Sequence, residues 1–175
     1  MKSAPISPSE GKLLLICRHA KSSWQDHTLG DVDRPLNKRG QRDAPEMGRR
    51  LRERGLHPDL IVASHAVRAR TTASLYADQL GYPQERIRIE PALYAATTRA
   101  LLTLLRNVDR GFSRVMIVGH NPEFTALANL LGSKVAIDNI PTGGVVALEF
   151  AVASWAELAE GAGQLLFFDY PKHVD

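Results

Sequence analysis

Two histidines follow two apolar segments of the chain, each close to the point where the segment ends. The apolar run at residues 13–17 leads directly into Arg18 and His19, and the run at residues 115–118 leads, after one glycine, into His120. A buried strand with such an ending delivers polar groups to the carboxyl edge of a sheet, where open α/β sheets place their ligand crevices. Imidazole and guanidinium groups at one edge would form a cationic pocket, which suits the negative charge of a phosphoryl group.

Arg68 adds a second guanidinium to this expected pocket, because it lies in the first turn of a predicted helix that follows a strand at residues 60–63. If the strands before Arg18, Arg68 and His120 run parallel, their carboxyl ends lie at the same edge of the sheet and bring these side chains together. Each charge-assisted hydrogen bond to a phosphoryl oxygen contributes roughly 1.5–3 kcal/mol. Histidine is a competent covalent nucleophile. We therefore predict His19 as the nucleophile and Arg18, Arg68 and His120 as the other catalytic and phosphate-binding residues.

The sequence offers little support for other chemistry. A zinc site built from His19, His120 and His65 lacks the usual ligand spacing, and two arginines would repel the dication. A cysteine phosphatase loop at Cys17 would need an arginine six positions on, where the chain has Ser23. Walker, GxGxxG and GxSxG motifs are absent from the sequence. We expect no metal and no cofactor, and we interpret the cysteine as a small buried hydrophobic residue.

Composition limits the class of protein. The 175 residues are 44% hydrophobic, which predicts a single globular domain at residues 12–175 after a flexible N-terminal tail at residues 1–11. The formal net charge is only +3, and the Lys and Arg residues are interleaved with Asp and Glu instead of being clustered. Only 6% of the residues are aromatic, so we expect no nucleic-acid partner. One cysteine excludes an internal disulfide framework. The N-terminus does not resemble a secretory signal and no apolar run approaches ~20 residues, so we expect a cytoplasmic protein without membrane contact.

Hydrophobic periodicity and turn signals predict alternating strands and helices. Strands are expected at about 13–18, 60–63, 87–89, 115–118, 145–150 and 164–168, and helices from Asn37 toward Gly55, over about 66–80, after Thr97 or Thr98, and from Asn121-Pro122. Pro45 predicts a kink or a fresh start within the first helix. The pattern indicates a three-layer α/β/α fold with a mostly parallel sheet, helices on both faces and an antiparallel strand at the C-terminal end.

These residues resemble the motifs of the histidine phosphatase superfamily, the phosphoglycerate-mutase-like proteins. The opening Arg-His-Gly/Ala motif matches Arg18-His19-Ala20, and the late Gly-His motif matches Gly119-His120. The motif Arg-x-Leu-x-x-x-Gly matches residues 34–40. The motif Ser-x-x-x-Arg-Ala-x-x-Thr-Ala matches Ser64, Arg68, Ala69, Thr72 and Ala73. The resemblance runs in order over residues 13–168. It implies a phosphoglycerate-mutase-like fold, phosphorylation of His19, and a phosphate pocket of Arg18, Arg68 and His120. Arg70 fits the register of the motif less well than Arg68 and would point about 200° away around the helix.

The short chain and the run Arg-His-Ala-Lys-Ser resemble the small SixA-like phosphohistidine phosphatase branch of this superfamily. Larger members carry a glutamate general acid after a Leu-Tyr-like segment, whereas Leu93-Tyr94 is followed here by residues 95–98 without a carboxylate. An alkoxide leaving group needs protonation by such an acid, which raises the reaction rate roughly 10²–10⁴-fold. The imidazole of phosphohistidine is a better leaving group and needs this acid less. The sequence thus predicts a metal-independent phosphatase that removes phosphate from protein phosphohistidine through a phosphohistidine enzyme intermediate.

Some alternatives stay open at this point. The substrate could be a small phosphomonoester, such as a sugar or nucleotide phosphate, instead of a phosphorylated protein. A non-catalytic phosphate-binding module is a further alternative. Asp26, Asp31, Asp33 or Glu123 could reach the site from loops, and none of them is preferred. Residues 142–144 are interpreted as a tight turn, with donation of backbone N–H groups to the pocket as the alternative.

Overall fold

The sheet is the element that carries the predicted site. A computed structural model describes residues 11–173, and within them the strands form one six-stranded sheet. The strands are β1 (Lys12–Arg18), β2 (Leu60–Ala63), β3 (Arg88–Ile89), β4 (Arg114–Gly119), β5 (Val145–Phe150) and β6 (Gln164–Asp169). Their order is β3-β2-β4-β1-β5-β6; β1 to β4 run parallel, whereas β5 is antiparallel to both β1 and β6.

Four helices in the described part of the chain cover the two faces of this sheet. They are α1 (Lys38–Glu53), α2 (Val67–Leu80), α3 (Thr98–Arg106) and α4 (Glu123–Leu131). Helices α1 and α2 pack together on one face, and α3 and α4 pack on the other. The predicted three-layer α/β/α class, with helices on both faces and an antiparallel C-terminal strand, is confirmed.

Strand β1 shows why the centre of the sheet is rigid. Successive side chains of a strand point to opposite faces. Leu14 and Ile16 therefore pack in the apolar layer that includes Phe124 of α4, and Leu15 packs in the opposite layer with Tyr76 of α2. All of these side chains are almost completely buried. The end of β1 is consequently fixed by close packing on both sides.

Helix α1 begins at the predicted start signal and runs without interruption through its proline. The Asn37 side chain accepts a hydrogen bond from the backbone N–H of Gly40 at 2.9 Å, which confirms the predicted N-cap. The helix continues through Pro45 as a single element, so of the two alternatives predicted there, a kink or a fresh start, the fresh start is wrong. Ala44 and Met47 on either side of the proline are buried against the α2 face, and this packing holds the helix together where one backbone hydrogen bond is lost.

Helix α4 begins one residue later than the sequence predicts. Pro122 stands at the N-cap position and Glu123 is the first helical residue, so proline is not the first helical residue as predicted. Asn121 still caps this end, because its Oδ1 accepts hydrogen bonds from the backbone N–H of Thr125 at 3.1 Å and from the Thr125 hydroxyl at 2.9 Å. The side chain therefore anchors the first turn from one position further out than a standard N-cap.

The predicted tail at residues 1–11 lies outside the described residues except for Gly11, and the boundaries of the single domain at 12–175 stay a prediction. In the range 11–173, none of the helices combines the length and the apolar character that a membrane span requires. The cytoplasmic location stays a prediction.

Candidate active site

The ends of three parallel strands position the predicted site residues. Arg18 ends β1 and is followed by His19, His120 follows β4, and Arg68 lies at the start of the helix after β2. The backbone N–H of His19 donates to the carbonyl of Gly119 at 3.0 Å, which ties the ends of β1 and β4 together. The imidazole centroids of His19 and His120 lie 5.3 Å apart. Both guanidinium groups lie close enough to lower the pKa of both imidazoles.

His19 is held as a neutral imidazole with one nitrogen free to react. Its Nδ1 lies 2.7 Å from the carbonyl oxygen of Ala20. A carbonyl oxygen only accepts hydrogen bonds, so Nδ1 carries the proton and Nε2 keeps its lone pair. Only 7% of the residue is exposed, and this burial is the main reason why the pKa of His19 is lowered to about 3. The hydrogen bond to Ala20 opposes this shift of the pKa. The nearby His120, Arg68 and Arg18 lower the pKa further. At neutral pH the Nε2 atom is an available nucleophile.

His120 is oriented by a buried serine. Its Nε2 lies 2.8 Å from the Oγ of Ser64, and the same Oγ accepts a hydrogen bond from the backbone N–H of Ala66 at 3.2 Å. If the Ser64 hydroxyl donates to Nε2, the proton of the neutral ring sits on Nδ1. Burial, followed by the charge of Arg68, lowers the pKa of His120 to about 4. The Nδ1 atom is buried and has no hydrogen-bond partner among residues 11–173, so it is available to a ligand.

Each arginine is fixed by its terminal nitrogens while its Nε atom is left free. The Nη1 of Arg18 donates to the carbonyl of Ile140 at 2.9 Å. Arg68 donates from Nη1 to the carbonyl of Asp31 at 2.6 Å and from Nη2 to its Oδ2 at 2.9 Å. Both Nε atoms are buried without a partner in the described chain, as is Nδ1 of His120. Buried N–H donors normally have acceptors, so the two guanidinium donors, joined by Nδ1 of His120 in the tautomer that Ser64 favours by donating to Nε2, indicate a site for an anion with several oxygens.

Asp31 and Tyr94 complete the wall of the pocket, and sequence reasoning did not pair them. The Tyr94 hydroxyl donates to Oδ2 of Asp31 at 2.6 Å, and its ring meets the ring of His120 edge-on at 5.4 Å. Hydrogen bonds from Tyr94 and from Arg68 hold the pKa of the Asp31 carboxyl well below its usual range. The same carboxylate raises the pKa of Tyr94. Of the four acids named above, Asp31 is therefore the one that contacts a predicted site residue, and it does so in its ionised form.

Residues 14–94 match the model of the histidine phosphatase superfamily (branch 1). An uncharacterised protein of Mycobacterium tuberculosis is 32% identical over 164 residues, which cover 89% of this chain and 99% of that relative. The chain belongs to the histidine phosphatase superfamily.

Two solved structures refine the position of the chain within this superfamily. A putative phosphohistidine phosphatase SixA from Nakamurella multipartitia has a TM-score of 0.81 and 25% identity, over 95% of this chain and 100% of that one. A putative phosphohistidine phosphatase SixA from Agrobacterium tumefaciens has a TM-score of 0.75 and 27% identity, over 91% and 98%. The predicted phosphoglycerate-mutase-like fold and SixA-like branch are confirmed, and the chain is a phosphatase of the hydrolase class.

The threonine of the histidine phosphatase motif ties two parts of the site together. Thr72 Oγ1 accepts a hydrogen bond from the backbone N–H of Ala20 at 3.0 Å and donates to the carbonyl of Arg68 at 2.7 Å. It thus fixes the segment after β1 to the first turn of α2. Arg70 lies on the exposed side of that turn, where its Nε donates to the carbonyl of His65 at 2.8 Å. Of the two arginines, Arg68 is the one that the structure buries beside the histidines, as predicted.

The glycine turn before β5 holds the backbone of the nucleophile in place by hydrogen bonds. Gly143 has a φ of +76°, which favours glycine, and its N–H lies 2.9 Å from the carbonyl oxygen of His19 and 3.2 Å from that of Arg18. The N–H of Arg18 in turn donates to the carbonyl of Gly144 at 3.0 Å. The tight-turn interpretation is therefore correct. The N–H of Gly143 fixes the backbone of the site and does not point a donor at the ligand.

Two remaining sequence interpretations concern metal and cysteine. In the described range, 11–173, no group of three or more His, Cys, Asp or Glu side chains is arranged to hold a metal ion. The expected independence from metal stays a prediction. Cys17 is completely buried, and this burial raises the pKa of its thiol, so the thiol stays protonated. The structure agrees with the interpretation of this residue as a small hydrophobic side chain.

Proposed function

We propose that the protein is a metal-independent phosphatase that removes the phosphoryl group of protein phosphohistidine through a phosphorylated His19. One observation carries this proposal. The free Nε2 lone pair of His19 lies in a pocket where the Nε atoms of Arg18 and Arg68 and the Nδ1 of His120 lack acceptors among the described residues. A nucleophile surrounded by unfilled donors suits a phosphoryl group that is attacked while its oxygens are held.

The proposed reaction has two displacements. In the first, Nε2 of His19 attacks phosphorus, the P–N bond of the substrate breaks, and the substrate imidazole leaves. In the second, water attacks the phosphorus of phospho-His19, which releases inorganic phosphate and restores the free imidazole. Arg18 and Arg68 neutralise the charge on the transferring oxygens in both steps, and His120 donates a hydrogen bond to one of them.

The state of the acids in the pocket favours a leaving group that needs little protonation. An alkoxide released from a sugar phosphate needs a positioned acid, and a carboxyl with a strongly lowered pKa is a poor one. Asp31, the acid that contacts Arg68, is held ionised by Tyr94 and Arg68. The imidazole of phosphohistidine is a better leaving group than an alkoxide. The two SixA proteins that resemble this chain carry the name of the same activity, which supports the proposal.

The loop that leads to Asp31 also carries an exposed aromatic side chain that suits a protein partner. Trp24 lies in the same loop as Asp31 and is 65% exposed, and the guanidinium of Arg34 lies 3.5 Å from the centre of its ring. Exposed aromatic side chains are enriched in protein interfaces, and the buried Arg34 holds this ring in place from below. A phosphorylated protein could therefore bury this surface while its phosphohistidine enters the pocket.

A comparison of substrates tests the proposal. We expect kcat/KM for a phosphohistidine-bearing phosphocarrier protein to exceed the value for p-nitrophenyl phosphate and for a sugar phosphate by at least about tenfold, a difference of about 1.4 kcal/mol. The same ratio is expected with and without a chelator. A higher kcat/KM for the sugar phosphate would instead establish a small-molecule phosphatase. Binding of phosphate without turnover of any substrate would establish a phosphate-binding module.

A further inference from the structure

Asp31 has a carboxylate that is held in place on one side and open to solvent on the other. Its Oδ1 accepts a hydrogen bond from Nε of Arg34 at 3.1 Å, and its Oδ2 accepts from Nη2 of Arg68 at 2.9 Å and from the hydroxyl of Tyr94 at 2.6 Å. The side chain nevertheless remains 47% exposed. Two carboxylate oxygens offer about four acceptor sites, so at least one is available for a further donor.

The location of this carboxylate relates it to the departing half of the substrate. His19 is buried, so a group displaced in line from phosphorus leaves on the opposite, solvent side. Asp31 is bonded to Arg68 at the wall of the pocket, and its charge reaches His120, where it partly opposes the lowering of the pKa by burial and by Arg68. The exposed face of the carboxylate therefore lies beside the path that the leaving group takes into solvent.

The chemistry of phosphohistidine requires a proton on the nitrogen that is not bonded to phosphorus. When that nitrogen carries a proton, breaking the P–N bond releases a neutral imidazole; without it, the group would leave as the much more basic imidazolate. A carboxylate beside an imidazolium N–H stabilises the protonated form by a charge-assisted hydrogen bond. No proton needs to move during the step, because it is already on the departing ring.

We propose that Asp31 accepts a hydrogen bond from the N–H of the substrate imidazole and thereby selects phosphohistidine over phosphomonoesters. This inference rests on the proposed function and adds a second role for the pocket wall. The negative charge that favours an imidazolium ring opposes a leaving group that departs as an oxyanion. A single carboxylate therefore favours one substrate class and disfavours the other.

The test compares two small substrates that share a phosphoryl group and differ in the charge of the leaving group. With phosphoimidazole, Asp31→Asn is expected to lower kcat/KM about tenfold or more. With p-nitrophenyl phosphate, which releases a phenolate, the same variant is expected to keep or raise kcat/KM. Asp33→Asn is the matched control, because it removes the same charge from an exposed position in the same turn, Asp31–Asp33, and should leave both values within about twofold.

Further variants exclude a purely structural role. Asp31→Glu keeps the charge and is expected to retain the preference for phosphoimidazole. If Asp31→Asn does not fold, Asp31→Ala replaces it, and we expect a lower kcat/KM for phosphoimidazole and an unchanged or higher value for p-nitrophenyl phosphate. An equal loss on both substrates would mean that Asp31 only positions Arg68, and would overturn the inference while leaving the proposed function intact. If the wild-type protein does not hydrolyse phosphoimidazole or phosphohistidine protein, the proposed function fails, and the inference fails with it.

Discussion

Arg68 and Arg70 lie two residues apart on one helix and provide a paired test of the pocket. Arg68 is buried with its Nε atom unpartnered in the described chain, whereas Arg70 is exposed. We expect Arg68→Ala to lower kcat/KM for a phosphohistidine protein by about 10³-fold, the upper range for loss of a transition-state donor. The measurement is steady-state kinetics on both variants.

Arg70→Ala is the control for the loss of one positive charge from this turn. The hydrogen bond from Arg70 to the carbonyl of His65 lies on the exposed side of the helix. The kcat/KM of the Arg70→Ala variant should therefore stay within about threefold of the wild-type value. If both variants lost activity equally, the general charge of this helix would be responsible and the assignment of a specific phosphate ligand would be wrong.

His19 also makes the stability of the protein depend on pH. The folded state lowers its pKa from 6.5 to about 3, so the unfolded chain binds the proton first as pH falls. This contribution to the free energy of unfolding is intact above pH 7, and it decreases as pH falls through 6.5 toward the folded pKa. At pH 5 the loss from this one group is about 2 kcal/mol.

Urea unfolding of the wild type and of His19→Asn measures this linkage. The asparagine variant lacks the titrating group, so its stability relative to wild type should improve by about 1–2 kcal/mol between pH 7 and pH 5. A difference between the two proteins that stays constant over this range would show that burial does not disfavour the imidazolium.

At the scale of elements, Gly119 controls how α4 approaches the end of β4. A Cβ atom at this position would lie 2.4 Å from the ring of Phe124, which packs in the core of that face. Gly119→Ala must therefore displace the ring or the strand end that carries His120. We expect a loss of stability of about 1–3 kcal/mol together with reduced kcat.

Gly30→Ala is the matched control, because a Cβ there meets no atom within 4 Å and its φ is −65°. Chemical denaturation and kinetics on both variants separate the two cases. We expect no loss of stability for Gly30→Ala. Unchanged kcat in a destabilised Gly119→Ala protein would show that the strand end does not position His120.

The sequence predicts those parts of the site that depend on periodic elements. Apolar runs that end in Arg-His and Gly-His locate β1 and β4, and parallel pairing then brings His19 and His120 together without further information. The motif register likewise selects Arg68. Such features are local or follow from the topology of parallel sheets, so short-range patterns are sufficient to find them.

Other contacts of the site depend on loop conformation and are not visible in the sequence. Asp31 and Tyr94 are far apart in the chain, and neither lies in a periodic element whose pattern would place it. Asp31 lies three positions before Arg34, the first residue of the matched motif segment at residues 34–40, and this proximity is the signal that could have raised its priority. The sequence left a kink and a fresh start open at Pro45, and the fresh start is excluded because tertiary packing outweighs the local preference of proline.

At the scale of the whole molecule, Arg50 of α1 fixes the end of the described chain. Its guanidinium donates to the buried Asp169 at 3.2 Å and to the carbonyls of Tyr170 and Pro171 at 3.0 Å. We expect Arg50→Ala to lower the free energy of unfolding by about 2 kcal/mol, less than for a fully buried pair because Arg50 is partly exposed. Activity should be retained, since these contacts do not include the residues of the pocket.

Arg49→Ala provides the comparison on the neighbouring position. Arg49 pairs with Glu46 and Glu53, and all three side chains are substantially exposed, so a much smaller change is expected. Thermal unfolding of both variants is the measurement. Equal changes in Tm for the two variants would contradict the role of Arg50 as an anchor of the C-terminal segment.

Phosphorylation of His19 is the step on which the proposed function depends. Rapid quenching of the enzyme with a ³²P-labelled phosphohistidine protein, followed by proteolysis and mass spectrometry, tests it most directly. We expect an acid-labile, base-stable phosphoryl group on His19, formed and consumed at rates consistent with kcat, and no labelled enzyme in His19→Ala. Full turnover by His19→Ala, or a phosphoryl group on another residue, would contradict the account.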